Sequence, residues 1–324
     1  MDKARWWKET GESVTCLLCP HACTLKPEQE GICRARIGGR GALEIPGYGF
    51  LTAEAPDPIE KKPLYHFLPG ETVWSIGFAG CNMDCPFCQN SRIAMSPAGT
   101  GTYISPQKTV DRARQIGAQM VAYTYSEPTI HIEYIEDTAA EAAEAGLKNV
   151  LVTNGCLNAK PARELLKHID GVNVDLKSWN ASDYRNVLGG ELATVKKFIE
   201  IAAELCWLEI TTLVVPGDND GTEDMANMCD WISSLSRQIP LHLSAYHPAK
   251  RYRRPPTTSA SLNTLAGIAE KKLDFVYIGN IGKENNTACP ECGQTVIRRS
   301  FYDTELKMRG GRCPSCGTAI PGVF

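Results

Sequence analysis

The stretch FAGCNMDCPFCQN, residues 78 to 90, carries Cys81, Cys85 and Cys88 at the spacing C-x3-C-x2-C. Three thiolates on one short loop can hold three corners of a cubic iron–sulfur cluster and leave its fourth iron without a protein ligand. A small molecule can then complete that iron. The competing readings are a zinc ion finished by a distant histidine, or thiols that bind no metal. Two further sets contain four thiols each. CPECG and CPSCG place Cys289, Cys292, Cys313 and Cys316 in two C-x2-C knuckles, the pattern of a tetrahedral zinc or a single iron. Cys16, Cys19, Cys23 and Cys33 follow a less regular spacing that suits zinc or a second iron–sulfur cluster. His21 could replace one of those thiols, but reads first as an exposed turn residue. Cys156, Cys206 and Cys229 stand apart and read as packing, although Cys156 directly follows VTNG.

Composition sets the compartment for this chemistry. Fourteen cysteines in 324 residues would suggest disulfides in an oxidising compartment, but clustered spacings favour metal in a reducing one. No apolar run approaches the roughly 20 residues of a membrane span, and the N-terminal MDKARWWKETGESV lacks the apolar core of a secretory signal. The expectation is a cytoplasmic protein with no membrane partner. A formal net charge of -3 gives no general pull toward nucleic acid, and leaves local binding open. KRYRRPP, residues 250 to 256, could meet phosphate or an acidic partner, but reads first as a solvated loop.

The elements that must position these residues alternate. Strand-like runs at 72–80, 119–125, 148–154, 171–177, 207–215 and 241–246 are separated by helical patterns, with 274–279 as a further strand candidate. Ser105 reads as a helix N-cap ahead of Pro106, with Gly117 at the exit. Such βαβ units predict an α/β fold with a parallel sheet, either a TIM-type barrel or a doubly wound sheet. In a barrel, chemistry belongs just after the strands. Cys81–Cys88, Glu127, Thr153, Asn154, Asp175, Lys177, Pro216 and His247 all fall there.

CxxxCxxC with Phe87 before its last cysteine resembles the radical S-adenosylmethionine (SAM) superfamily. The likeness extends over most of residues 72–280. CPFCQN is similar to the glycyl-radical-enzyme activases of the pyruvate formate-lyase-activating type. The resemblance implies a partial (β/α)6 TIM-type barrel and a [4Fe–4S] cluster on Cys81, Cys85 and Cys88, completed by SAM. In that family an electron from the cluster cleaves SAM to methionine and a 5′-deoxyadenosyl radical, which abstracts hydrogen from a substrate. It further implies that Glu127 in YSEP accepts a hydrogen bond from the SAM amine. This chain departs from the family's Gly-Gly-Glu-Pro there, with both glycines replaced. Thr153 and Asn154 would contact ribose, and Asp175 and Lys177 would line the SAM pocket. Phe87, Val214, Val215 and Pro216 would form walls, with His247 near the mouth. An electron donor of the flavodoxin or ferredoxin type follows from the same resemblance. The N-terminal cysteines are similar to those of the AmmeMemoRadiSam-system subfamily, which implies Memo-type and AMMECR-type partners.

Three regions are expected: a cysteine-rich module and lead-in at 1–71, the catalytic barrel at 72–282, and a zinc-ribbon or rubredoxin-like module at 283–324. The substrate is expected to be a glycine of a partner protein, or else a small molecule, RNA or another protein residue. A different class of function, a multi-metal scaffold or electron-transfer protein, would have no need of polar groups at the strand ends.

Overall fold

The computed structural model describes residues 4–282, 284–300 and 303–324. Its main sheet has eight strands in chain order: β1 (Ala53–Pro58), β2 (Thr72–Gly77), β3 (Met120–Thr124), β4 (Lys148–Thr153), β5 (Gly171–Asp175), β6 (Trp207–Val214), β7 (Leu241–Ala245) and β8 (Val276–Gly279). β1 runs antiparallel to β2, and all later pairings are parallel. The crossovers from β2 onward carry α1 (Pro106–Gln115), α2 (Ile132–Glu144), α3 (Ala159–Leu166), α4 (Leu192–Leu205), α5 (Thr222–Leu235) and α6 (Ser259–Ala269). Right-handed crossovers in an order that never reverses place the helices on one face. That decides for an open, partial barrel and against a doubly wound sheet, whose order must switch. Parallel strands are covered on both faces, and every residue of β3 is buried.

The sequence pattern carried the strands and helices of the barrel. Ser105 caps α1 by accepting from the Lys108 amide at 3.3 Å. Seven parallel strands are present, so the expected six and the candidate at 274–279 all form. β1 corrects the expected boundary at residue 71, because Ala53–Pro58 pairs along the full length of β2. Its AEAPDP sequence hides a strand: prolines and acids fit only at a sheet edge, where an amide need not pair.

The two cysteine-rich ends pack at opposite ends of the strands. Residues 59–68 cross the strand starts, where Phe67 packs with Val73, Met120 and Val150. The C-terminal module, a three-stranded antiparallel sheet of Thr287–Ala288, Thr295–Ser300 and Asp303–Leu306, packs on that plug. His66 Nδ1–H donates to the Pro321 carbonyl at 2.7 Å, and Arg299 donates to the carbonyl of Tyr65. Beneath lies Glu209 of β6, fully buried, accepting from the amides of Tyr65 and His66, the Trp207 indole and His242. Burial opposes its charge, but the hydrogen bond and charge of His242 hold its carboxyl below the usual range. The N-terminal module, with strands Trp7–Thr10, Ser13–Cys16 and Thr24–Leu25, packs instead where the parallel strands end.

Candidate active site

The loop after β2 turns on Gly80. Its φ is +88°, and an added Cβ would lie 2.4 Å from the Cys33 carbonyl oxygen. Only glycine permits both that backbone and that approach. The contact lets the Cys81 amide donate to the Cys33 carbonyl at 3.2 Å. Further along, the Asp84 amide donates to the Leu188 carbonyl at 2.9 Å. Asn82 is fully buried; its side chain donates to the Cys156 carbonyl and accepts from the Asn154 amide group at 2.9 Å. The loop that carries the three cysteines is therefore fixed by backbone and side-chain bonds to three other parts of the chain.

Cys81, Cys85 and Cys88 line a cavity of about 580 Å³ that opens at the carboxyl ends of the strands. Phe87, Glu127, Thr153, Asn154, Asp175 and Lys177 line it too. A cavity of this size lies within the range of cofactor sites. Val215 stands in an adjoining cavity of about 140 Å³, which shares Phe87 and Lys177 with the main one. His247 is set apart. It is exposed, its Nε2–H donates to the Asn280 carbonyl at 3.3 Å, and Ser244 and Asn280 occupy the wall where it was expected. The turn after β7 carries the His247 ring outward, so the expectation of a pocket histidine does not match its placement.

Glu127 is the most connected of these side chains. It is 1% exposed. Oε1 accepts from the Thr129 amide, the Thr129 hydroxyl and the Thr153 hydroxyl, and Oε2 accepts from the Asn154 amide at 2.8 Å. Burial raises its carboxyl despite these four donors. Glu127 thus ties the end of β3 to the end of β4 and aims Asn154, whose Nδ2 lies 3.8 Å from the Cys81 sulfur. Lys177 Nζ is paired with Asp175 at 2.6 Å. Burial opposes its charge, but Asp175 and Cys85 hold its ammonium above the usual range. Burial, followed by the charge of Glu127, pushes the Cys81 thiol well up, and burial raises Cys85 to about 11. Buried thiolates at these positions need a bound cation to offset their desolvation.

Several cavity residues carry no strand-end signature in the sequence. Asn90 donates to the Tyr125 carbonyl at 2.5 Å, and Gln89 also lines the wall. Tyr125, the first residue of YSEP, has φ +70°. A non-glycine residue there costs about 1–2 kcal/mol, which explains why glycine suits the equivalent position in the resembled family. Its ring fits because Gly77 faces it; a Cβ on Gly77 would lie 2.7 Å from the ring. Its hydroxyl donates to Asp57 at 2.8 Å, and Lys62 Nζ reaches the same carboxylate at 2.8 Å. The basic stretch 250–256 is also more than a solvated loop: Lys250 and Arg251 pair with Asp84 in the cysteine loop, and Tyr252 packs edge-on to Phe87.

The other histidines near the site, and Cys156, have local partners. His21 is half-buried, not an exposed turn residue, and its Nε2–H donates to the Asn82 carbonyl at 2.7 Å. His131 is buried, stacks on Phe78 and donates to the Ala79 carbonyl. Cys156 is fully buried and bonded through its backbone, as packing requires. At the far end, Cys289, Cys292, Cys313 and Cys316 gather their sulfurs within 4.8 Å of one another. Gly293 and Gly317, at φ +73° and +77°, close matching turns whose amides return to the Cys289 and Cys313 carbonyls. That group can bind a metal ion.

The donor set fits a [4Fe–4S] cluster and SAM. It offers three thiols, an amide donor toward one sulfur, and, in the same cavity, a buried acid and a paired lysine. Residues 75–231 match the family model described as the radical SAM superfamily. The uncharacterized protein MJ0808 of Methanocaldococcus jannaschii is 36% identical over the whole of both chains. A pyruvate formate-lyase-activating enzyme of Staphylococcus epidermidis is 25% identical over 52% of this chain and 72% of its own length. Among solved structures, Streptococcus suis SuiB bound to S-adenosylmethionine superposes with a TM-score of 0.51 at 15% identity, over 68% of this chain and 52% of that one. With a three-cysteine loop at the mouth of an open parallel barrel and a family model that matches around it, the domain at residues 75–231 belongs to the radical SAM superfamily.

Proposed function

We propose that this chain cleaves SAM reductively and uses the product to abstract hydrogen from a substrate, with Cys81, Cys85 and Cys88 holding the cluster. When bound, cluster and SAM supply a 5′-deoxyadenosyl radical; the rest of the work falls to the chain's own residues. The observation that carries the reading is the convergence of three cysteines, Glu127, Asn154 and the Asp175–Lys177 pair on one cavity. Asn154 stands beside the Cys81 sulfur, positioned by Glu127. Phe87 and Lys177 join the main cavity to the side cavity of Val215, which offers an apolar wall to a purine ring. Lys177 presents a cation to a carboxylate while Asp175 keeps it charged. Addition of SAM to the reduced, reconstituted protein should change the electron paramagnetic resonance (EPR) signal of its cluster. An unchanged signal at saturating SAM would refute the reading.

The substrate follows less directly. The similarity to pyruvate formate-lyase-activating enzymes supports a glycine of a partner protein, to be sought as a glycyl radical by EPR on a co-expressed partner. The buried Asp57–Lys62 pair and the Tyr125 hydroxyl, all on the cavity wall, favour a second reading, a small polar molecule. The N-terminal cysteine spacing and the full-length likeness to MJ0808 are compatible with an AmmeMemoRadiSam-type protein working with Memo-type and AMMECR-type partners. A flavodoxin or ferredoxin would supply the electron.

A further inference from the structure

The N-terminal cysteines are built differently from the C-terminal four. Cys16, Cys19, Cys23 and Cys33 face one small enclosed space, walled by Leu18, Leu25 and Ile130. Among the described residues, only the C-terminal set brings three or more donor atoms within 4.8 Å of one another. A single zinc ion draws four sulfurs to about 2.3 Å from one point, which leaves no room between them. Here the space lined by the four cysteines keeps a volume of about 10 Å³. One water needs about that much. The four sulfurs thus surround a centre from farther out than a lone ion allows.

The surroundings are those of an anionic centre. Arg36 lines the same space and is 1% exposed. Its Nη2 pairs with Glu133 at 2.6 Å and its Nε donates to the Ile130 carbonyl, but Nη1 has no partner among the described residues. A buried guanidinium hydrogen left unpaired is costly. Amides of Leu18, His21 and Ala35 are directed at the sulfurs of Cys16, Cys19 and Cys33, as suits thiolates bound to iron and sulfide.

From the four converging thiols, their wide spacing and the unpaired Arg36 hydrogen, we infer that Cys16, Cys19, Cys23 and Cys33 hold a second iron–sulfur cluster of the cubic type, not a single zinc ion. The site abuts the radical centre, since the Cys33 carbonyl accepts from the Cys81 amide. The inference does not depend on the proposed radical chemistry.

The test is acid-labile sulfide per chain in the anaerobically reconstituted full chain, because neither zinc nor a single iron at the C-terminal set contributes any. The wild type should hold about eight sulfides, and Cys81→Ala/Cys85→Ala/Cys88→Ala about four. A folded triple variant with no sulfide and zinc in its place would overturn the inference. If the triple variant does not fold, the wild-type count decides: about eight supports the second cluster and about four, removed together with activity by Cys81→Ala, overturns it. About four sulfides retained unchanged in the triple variant would support the N-terminal cluster while refuting the central one.

Discussion

The two ends of the barrel hold four cysteines each and solve different problems. At the strand starts, the C-terminal thiols form a tight, symmetric pair of knuckles, and the module's contacts to the barrel run through His66, Arg299 and Pro321. Nothing in that set faces the main cavity. At the strand ends, the N-terminal thiols spread around a buried arginine, and their module bonds directly to the loop of Cys81 through Cys33 and His21. The contrast separates a part that closes the fold from a part that supports the chemistry. Metal spacing alone does not draw that line; the partners of the ligands' backbones do.

The comparison can be broken most severely at the ligands. Cys81→Ala should lower SAM cleavage by at least about 10³-fold, as loss of a centre essential to the reaction implies, with circular dichroism unchanged. At the other end, Glu209→Ala strips a buried carboxylate from four donors and should destabilise the fold by about 3–5 kcal/mol, read as a lowered midpoint in urea. If Glu209→Ala instead left stability intact, the strand-start network would not be the structural end.

Acid sharpens the contrast. Burial, despite the charge of Glu209, holds His66 at about 4, and burial likewise holds His131 at about 4. Both are neutral in the fold while an unfolded histidine takes a proton below about 6.5. The unfolded state then binds more protons, so stability is full above that value and falls as pH drops toward 4. Each imidazole should contribute a slope of about 1 kcal/mol per pH unit in that window. His66→Gln should flatten the share from the strand-start end, measured by urea unfolding at several pH values. The smallest effect is expected at the rim: Arg251→Ala removes an exposed pair with Asp84, worth about 0–1 kcal/mol, and should leave the unfolding midpoint nearly unmoved.

Much of this was legible in the sequence because periodicity and spacing are local. The barrel strands, the Ser105 cap and the C-terminal knuckles each follow from a few neighbouring residues. So did the cavity positions of Glu127, Thr153, Asn154, Asp175 and Lys177, since side chains after parallel strands share one end. Nonlocal features stayed hidden. AEAPDP pairs as an edge strand only because β2 is there to receive it. His247 depends on the direction of one turn, and the role of KRYRRPP depends on Asp84 lying far away in sequence. Tyr125 takes a backbone conformation that its residue type argues against, and only Gly77 across the sheet makes room for it.

The central claim is that the open corner left by Cys81, Cys85 and Cys88 serves SAM cleavage. The direct measurement is 5′-deoxyadenosine and methionine formed by the anaerobically reconstituted full chain with SAM and a strong reductant. Both products in equal amounts from the wild type, and neither from Cys81→Ala, is the predicted result. A wild-type protein with its central cluster loaded and reduced that forms neither product would contradict the account.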